Sequence, residues 1–135
     1  MAGLTESVNT DSIKNATIEQ SYGNQLINKI PVWKENAIIL LNPSDVLYIT
    51  MDKKKVIIHT RDKVYESGSS LDALEQKLYS RGFFRSHKSF IVNMDYVEQI
   101  VPWFNSTYMM LIKSAAEQIP VSRHYTKSLR SLLDI

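Results

Sequence analysis

From residue 31 onward, apolar residues recur mostly at every second position, in stretches of four to seven residues cut by turn-forming residues. That pattern limits the chain to many short strands. Ala37–Leu41 reads as a short buried run, and Asn42-Pro43-Ser44-Asp45 as a turn. Val46–Met51 and Val56–Thr60 read as a hairpin around Asp52-Lys53-Lys54, and a turn at Arg61-Asp62 leads into Lys63–Glu66. Further strands are expected at Ser89–Asn93 and Tyr96–Val101. After a loop over Pro102–Ser106, a last hairpin pairs Thr107–Lys113 with Glu117–Val121. Only two segments carry helical spacing. Leu71, Leu74 and Leu78 follow an N-cap at Ser69 or Ser70 and stop at Gly82, and Tyr125, Leu129, Leu132 and Leu133 follow a cap at Ser122. The expected class is mainly β, with one mid-chain helix and one C-terminal helix, rather than a βαβ fold.

Residues 1–30 read as a linker or N-terminal extension, partly disordered, and residues 31–135 as one folded domain. The extension is rich in Ser, Thr, Asn and Gln. Thr10-Asp11-Ser12 suits the cap of a short helix from Ile13, but its apolar stripe is thin. It is either a connection to another domain or a native start. The absence of cysteine excludes disulfides and thiolate metal sites and fits a reducing compartment. The longest apolar runs, such as Ala37–Leu41, are too short to cross a bilayer. The opening Met-Ala-Gly-Leu-Thr-Glu has no basic region followed by an apolar stretch. A cytoplasmic location without membrane contact is expected.

Net charge is only +2, so overall charge does not argue for a nucleic-acid partner. Its distribution does. Lys53, Lys54 and Lys55 form one basic cluster, Arg81, Arg85, His87 and Lys88 a second, and Arg123, His124, Lys127 and Arg130 a third. Any one cluster reads better as a solvated surface; three that converge would make a stripe for a phosphate backbone. In the second cluster, Phe83, Phe84, Phe90, Ile91 and Val92 frame the donors Arg85, His87, Lys88 and Ser89. A rigid apolar frame around a short polar loop suits groove recognition, with Arg85 or Lys88 directed at guanine or phosphate. Ser122 and Arg123 stand at a helix start, where free amides and a partial positive charge favour phosphate.

Other functions fit less well. His59, His87 and His124 lack metal-ligand spacing, Ser86-His87 is adjacency rather than a triad, and only four glycines are present. No enzymatic activity, metal or cofactor is therefore expected. A single-stranded RNA-binding module remains open, with Tyr48, Phe83, Phe84, Phe90, Trp103, Phe104 and Tyr108 as stacking surfaces. So does a protein-interaction module that buries Val32, Trp33 and Ile38 against a partner.

The segment Phe84-Arg85-x-His87-x-Ser89-Phe90-Ile91-Val92-Asn93 resembles the central signature of LytTR domains, the LytR/AgrA-like DNA-binding domains of bacterial response regulators. Asp45-Val46-Leu47-Tyr48-Ile49, Ile100-Val101-Pro102-Trp103-Phe104-Asn105 and Ile119-Pro120-Val121-Ser122-Arg123-x-Tyr125 are similar to the family's flanking motifs, in matching order. The resemblance implies an elongated arrangement of short, mostly antiparallel sheets whose loops enter successive major grooves of double-stranded DNA. It implies sequence-specific binding as the effector domain of a transcriptional regulator in a two-component system. Lys53, Lys54 and Lys55, then Arg85, His87, Lys88 and Ser89, then Ser122 and Arg123 fall at its three contact elements. It also implies direct-repeat sites, two copies on DNA, and a receiver or sensor domain outside this chain. Lys88 stands where some members carry Asn, and lysines stand where some carry a contact His. Since Asn bridges adenine while Lys prefers guanine or phosphate, the DNA preference should differ.

Overall fold

A computed structural model describes residues 28–113 and 117–135; the helix anticipated from Ile13 lies outside them. The chain forms β1 (Ile30–Lys34), β2 (Ala37–Leu41), β3 (Val46–Asp52), β4 (Lys55–Thr60) and β5 (Val64–Ser67). Helix α1 (Leu71–Leu78) precedes β6 (Phe83–His87), β7 (Phe90–Asn93), β8 (Val97–Pro102), β9 (Tyr108–Ile112) and β10 (Gln118–Val121), and α2 (Arg123–Leu133) ends the fold. Every strand pairing is antiparallel. The described strands make a β1-β2 hairpin, a central five-stranded sheet in the order β5-β4-β3-β7-β6, and a three-stranded sheet in the order β10-β9-β8.

Alternation decides which residue faces which layer. On one face of the central sheet, Ile49, Ile58, Phe83 and Ile91 join Ile30, Val32 and Leu41 of the hairpin and Leu71, Leu74 and Leu78 of α1 in one core. On the other face, Leu47, Tyr48, Phe84 and Val92 join Met110, Ile112, Ile119 and Val121 of the small sheet and Leu129 of α2. Neighbours on a single strand therefore divide between layers, as Phe83 and Phe84 do on β6 and Ile91 and Val92 on β7. Both faces of β6 and β7 are therefore covered, which is why each carries apolar residues in succession.

Helix α1 forms where its leucines place it. The Ser70 side chain accepts from the Ala73 amide, Leu71, Leu74 and Leu78 are buried, and Gly82 takes the left-handed conformation at φ 85°. The first strands differ from expectation. Strand β1 begins at Ile30, inside the segment assigned to the extension, and Ile30 is buried in the core. Ala37–Leu41 is a strand but not a buried one: Ile38 and Leu40 are exposed, and only Leu41 is buried. A two-stranded ribbon covered on one side leaves its other side open. No helix among the described residues is long and apolar enough to cross a membrane.

Candidate nucleic-acid interface

The first basic cluster sits at the tip of a tight hairpin. Asp52 pairs with Lys55, so Lys53 and Lys54 form a two-residue connection, with φ of 53° and 67°. Positive φ at both central positions matches the twist of the flanking strands, but it is a conformation in which Asn-Gly is preferred. Two lysines adopting it place both ammonium groups in solvent at a local conformational cost. All three lysines are exposed, and Lys55 lies at the outer limit of ion-pairing distance, 4.0 Å, from Glu66. A pair that open to water adds little stability.

The second cluster is built around the β6–β7 turn. Arg85 departs from the expected outward position. Its side chain is only 10% exposed. Nε donates to the His87 carbonyl at 2.9 Å and one terminal nitrogen to the Lys88 carbonyl at 2.6 Å. The other terminal nitrogen donates to the carboxylates of Asp72 at 2.9 Å and Glu75 at 2.8 Å, both on α1. Burial works against the charged guanidinium, but the hydrogen bonds to Asp72 and Glu75 outweigh it and raise its pKa.

His87 and Lys88 take the outward positions instead. Lys88 is exposed, while His87 and Ser89 are half-buried. The Ser89 amide donates to Nδ1 of His87 at 3.0 Å, which requires that nitrogen to be unprotonated and leaves the proton of the neutral ring on Nε2. Burial lowers the His87 pKa, and the neighbouring charges of Lys88 and Arg85 lower it further. Near neutral pH, His87 is therefore an uncharged Nε2–H donor, braced edge-on against Phe90.

The third cluster starts α2. Ser122 occupies the N-cap position in extended backbone, yet its hydroxyl makes no cap hydrogen bond; its carbonyl accepts from the Tyr125 amide at 2.9 Å. Arg123 is exposed beside it, and Lys127 and Arg130 follow along the helix. With Ser106, Thr126 and the C-terminal residues, these side chains border an open groove of about 630 Å³.

Two backbone hydrogen bonds join the clusters. The Met51 amide, at the end of β3, donates to the Ser89 carbonyl at 2.9 Å, and the Ser122 amide donates to the Ser86 carbonyl at 2.9 Å. Thr50 pairs with Phe90 across β3 and β7, so the lysine turn and the Lys88-Ser89 turn leave the same end of the central sheet. The lysine turn and the start of α2 are thus each tied by a backbone hydrogen bond to the β6–β7 segment.

The residues of the competing readings fall elsewhere. Tyr48, Phe83 and Phe84 are core, and Phe90 and Tyr108 are half-buried, which leaves Trp103 and Phe104 as the exposed members of that aromatic set. Val32 is core rather than a partner contact, while Trp33 and Ile38 are exposed. Among the described residues, no three of His, Asp and Glu cluster as a metal set. Asp72 and Glu75 were not anticipated from the sequence. Their three-residue spacing on α1 marks one helix face, but nothing local shows that Arg85 meets it.

The family model for the LytTr DNA-binding domain matches residues 36–134. The chain is 38% identical over 109 residues to the sensory transduction protein LytT of Bacillus cereus, covering 81% of this chain and 44% of that protein. It is 35% identical to LytT of Bacillus subtilis (96% and 52% covered) and 32% identical to the transcriptional regulatory protein YpdB of Escherichia coli (93% and 50%). It thus spans about half the length of the curated relatives it matches. A solved LytTr DNA-binding domain from Bacillus cereus superposes with a TM-score of 0.74 at 28% identity, covering 80% of this chain and 98% of that one.

Proposed function

Because the chain belongs to the LytTR family of DNA-binding domains, we propose that it binds double-stranded DNA sequence-specifically as the effector domain of a bacterial transcriptional regulator. In this reading the three basic clusters form one rim that enters successive major grooves. Lys53, Lys54 and Lys55 supply the first contact, His87, Lys88 and Ser89 the second, and Ser122 with Arg123 the third. The observation that carries it is the pair of backbone hydrogen bonds, Met51 to Ser89 and Ser122 to Ser86, which fixes the three elements relative to one another. Base reading needs such preset geometry, whereas phosphate attraction does not.

The roles divide by chemistry. Lysines on a hairpin tip suit phosphate. Arg123, with its planar fork, suits guanine O6 and N7 in the major groove. Neutral His87 presents one donor and adds no charge, and Lys88 is directed to guanine or phosphate rather than to adenine. Two copies on direct repeats, a receiver or sensor domain in the full-length protein and a cytoplasmic site of action complete the proposal.

Selection of bound duplexes from a random pool, followed by titration of the winner and a scrambled duplex at several salt concentrations, tests it. A recurrent selected sequence is expected, with affinity falling steeply with salt, by a slope of about 0.9 per phosphate neutralised. Equal binding of selected and scrambled duplexes, or tighter binding of the corresponding single strands, would overturn it.

A further inference from the structure

The β6–β7 turn carries the residues assigned above to the second contact, yet its own ladder leaves two carbonyls turned inward. The register shifts between Arg85 and His87, and His87 pairs with Phe90 around the tip. The Arg85 fork reaches under the turn and binds the carbonyls of His87 and Lys88. Its far side is held by two carboxylates three residues apart on α1. Helix α1 is fixed in turn by three buried leucines. One planar cation thus connects α1 to the backbone carbonyls of His87, half-buried at the end of β6, and of Lys88, exposed in the turn.

Resting on the DNA-binding reading above, we propose that Arg85 is a positioning residue for sequence recognition. Its fork sets the backbone of His87 and Lys88, and with it the aim of their side chains at the groove, while Arg85 makes no contact with DNA. Asp72 and Glu75 belong to the same device. They hold the guanidinium toward α1, which gives two carboxylates a role beside the proposed DNA-binding surface. A groove of about 490 Å³ lined by Lys54, Lys55, Asp72 and Arg85 borders the clamp, so the first contact also abuts it.

Direct contact and positioning predict different outcomes for a charge-conserving change. Arg85→Lys keeps the positive charge but cannot satisfy two carbonyls and two carboxylates at once. Binding would be measured to the duplex selected by the parent protein and to a scrambled duplex of equal length, with thermal unfolding to confirm the fold. Positioning predicts that the ratio of selected to scrambled affinity falls roughly ten- to a hundredfold, the scale of one misread base pair, while binding to the scrambled duplex keeps its salt slope. Amide exchange at His87, Lys88 and Ser89 should quicken in the free protein, a readout that needs no DNA. The pair Asp72→Asn with Glu75→Gln leaves Arg85 in place and should lower the same ratio. It gives a second reading if Arg85→Lys does not fold.

The proposal fails if Arg85→Lys retains the parent's ratio and exchange rates. It also fails if the carboxylate pair raises the ratio, as a freed Arg85 binding DNA directly would do. If the parent itself shows no sequence preference, the function proposed above falls. Amide exchange then still decides whether Arg85 holds the turn.

Discussion

His59 on β4 stacks on Tyr48 of β3, ring centroids 4.1 Å apart and nearly parallel. Burial lowers the His59 pKa, with Glu117 opposing, and the same burial, here assisted by Glu117, pushes the Tyr48 hydroxyl up to about 12. The unfolded chain therefore takes up a proton at His59 near the ordinary imidazole pKa, while the folded chain resists until lower pH. Stability is full above roughly pH 6.5 and declines as pH falls from there through the folded-state value. His87 shifts in the same direction and adds to the decline. Thermal unfolding at pH 7.5 and 5.5 should show a lower midpoint at the acid end. His59→Phe, which keeps the stack and removes the titration, should shrink that difference; an unchanged difference would clear His59 of the effect. Arg123 is the residue-scale test of recognition. Arg123→Ala should weaken binding to the selected duplex by roughly 1–3 kcal/mol if the fork reads a base, with less change on scrambled DNA. An equal loss on both would reassign it to phosphate.

At the scale of elements, the β3–β4 turn exposes a tension between folding and charge. Lys53 and Lys54 occupy backbone that Asn-Gly adopts at lower cost. Lys53→Asn with Lys54→Gly should therefore raise stability by about 1 kcal/mol in denaturant unfolding. It should also weaken duplex binding about equally across sequences and flatten the salt slope. A double variant that binds like the parent would remove this turn from the interface. The turn also shows what a sequence yields. Asp52-Lys53-Lys54 between two alternating runs was legible as a hairpin, but nothing in Lys-Lys announces positive φ. Helix α1 was legible to its cap because Ser70, three leucines and Gly82 each act locally. Strand β1 was not, because Ile30-Pro31-Val32 presents a proline amid too few apolar residues to suggest pairing. Leu40 and Ile38 were misjudged for a related reason: apolar content marks a strand, whereas burial depends on a covering layer many residues away. The three basic clusters were visible as charge. The inward partners of Arg85 were not legible, because its carboxylates lie 10 and 13 residues back on another element.

Across the whole molecule, the proposed interface depends on both cores at once. One face of the central sheet holds α1, and through it the Arg85 clamp; the other holds the small sheet and α2, and through it Ser122 and Arg123. Helix α2 meets that second core through one buried side chain, Leu129, with Tyr125 packed at its edge. The rest of the helix is largely solvent-facing, so Leu129 fixes its rotation and depth against the sheet. Leu129→Ala should cost about 2–5 kcal/mol as a buried Leu truncation. It should also loosen the helix start that presents Arg123. The two effects separate in a titration below the unfolding midpoint, where the folded fraction is known. Affinity corrected for that fraction should still fall on the selected duplex, while the first and second contacts maintain binding to scrambled DNA at low salt. If the corrected affinities for both duplexes matched the parent, the third contact would not depend on packing, and the Ser122–Ser86 hydrogen bond alone would suffice to place it.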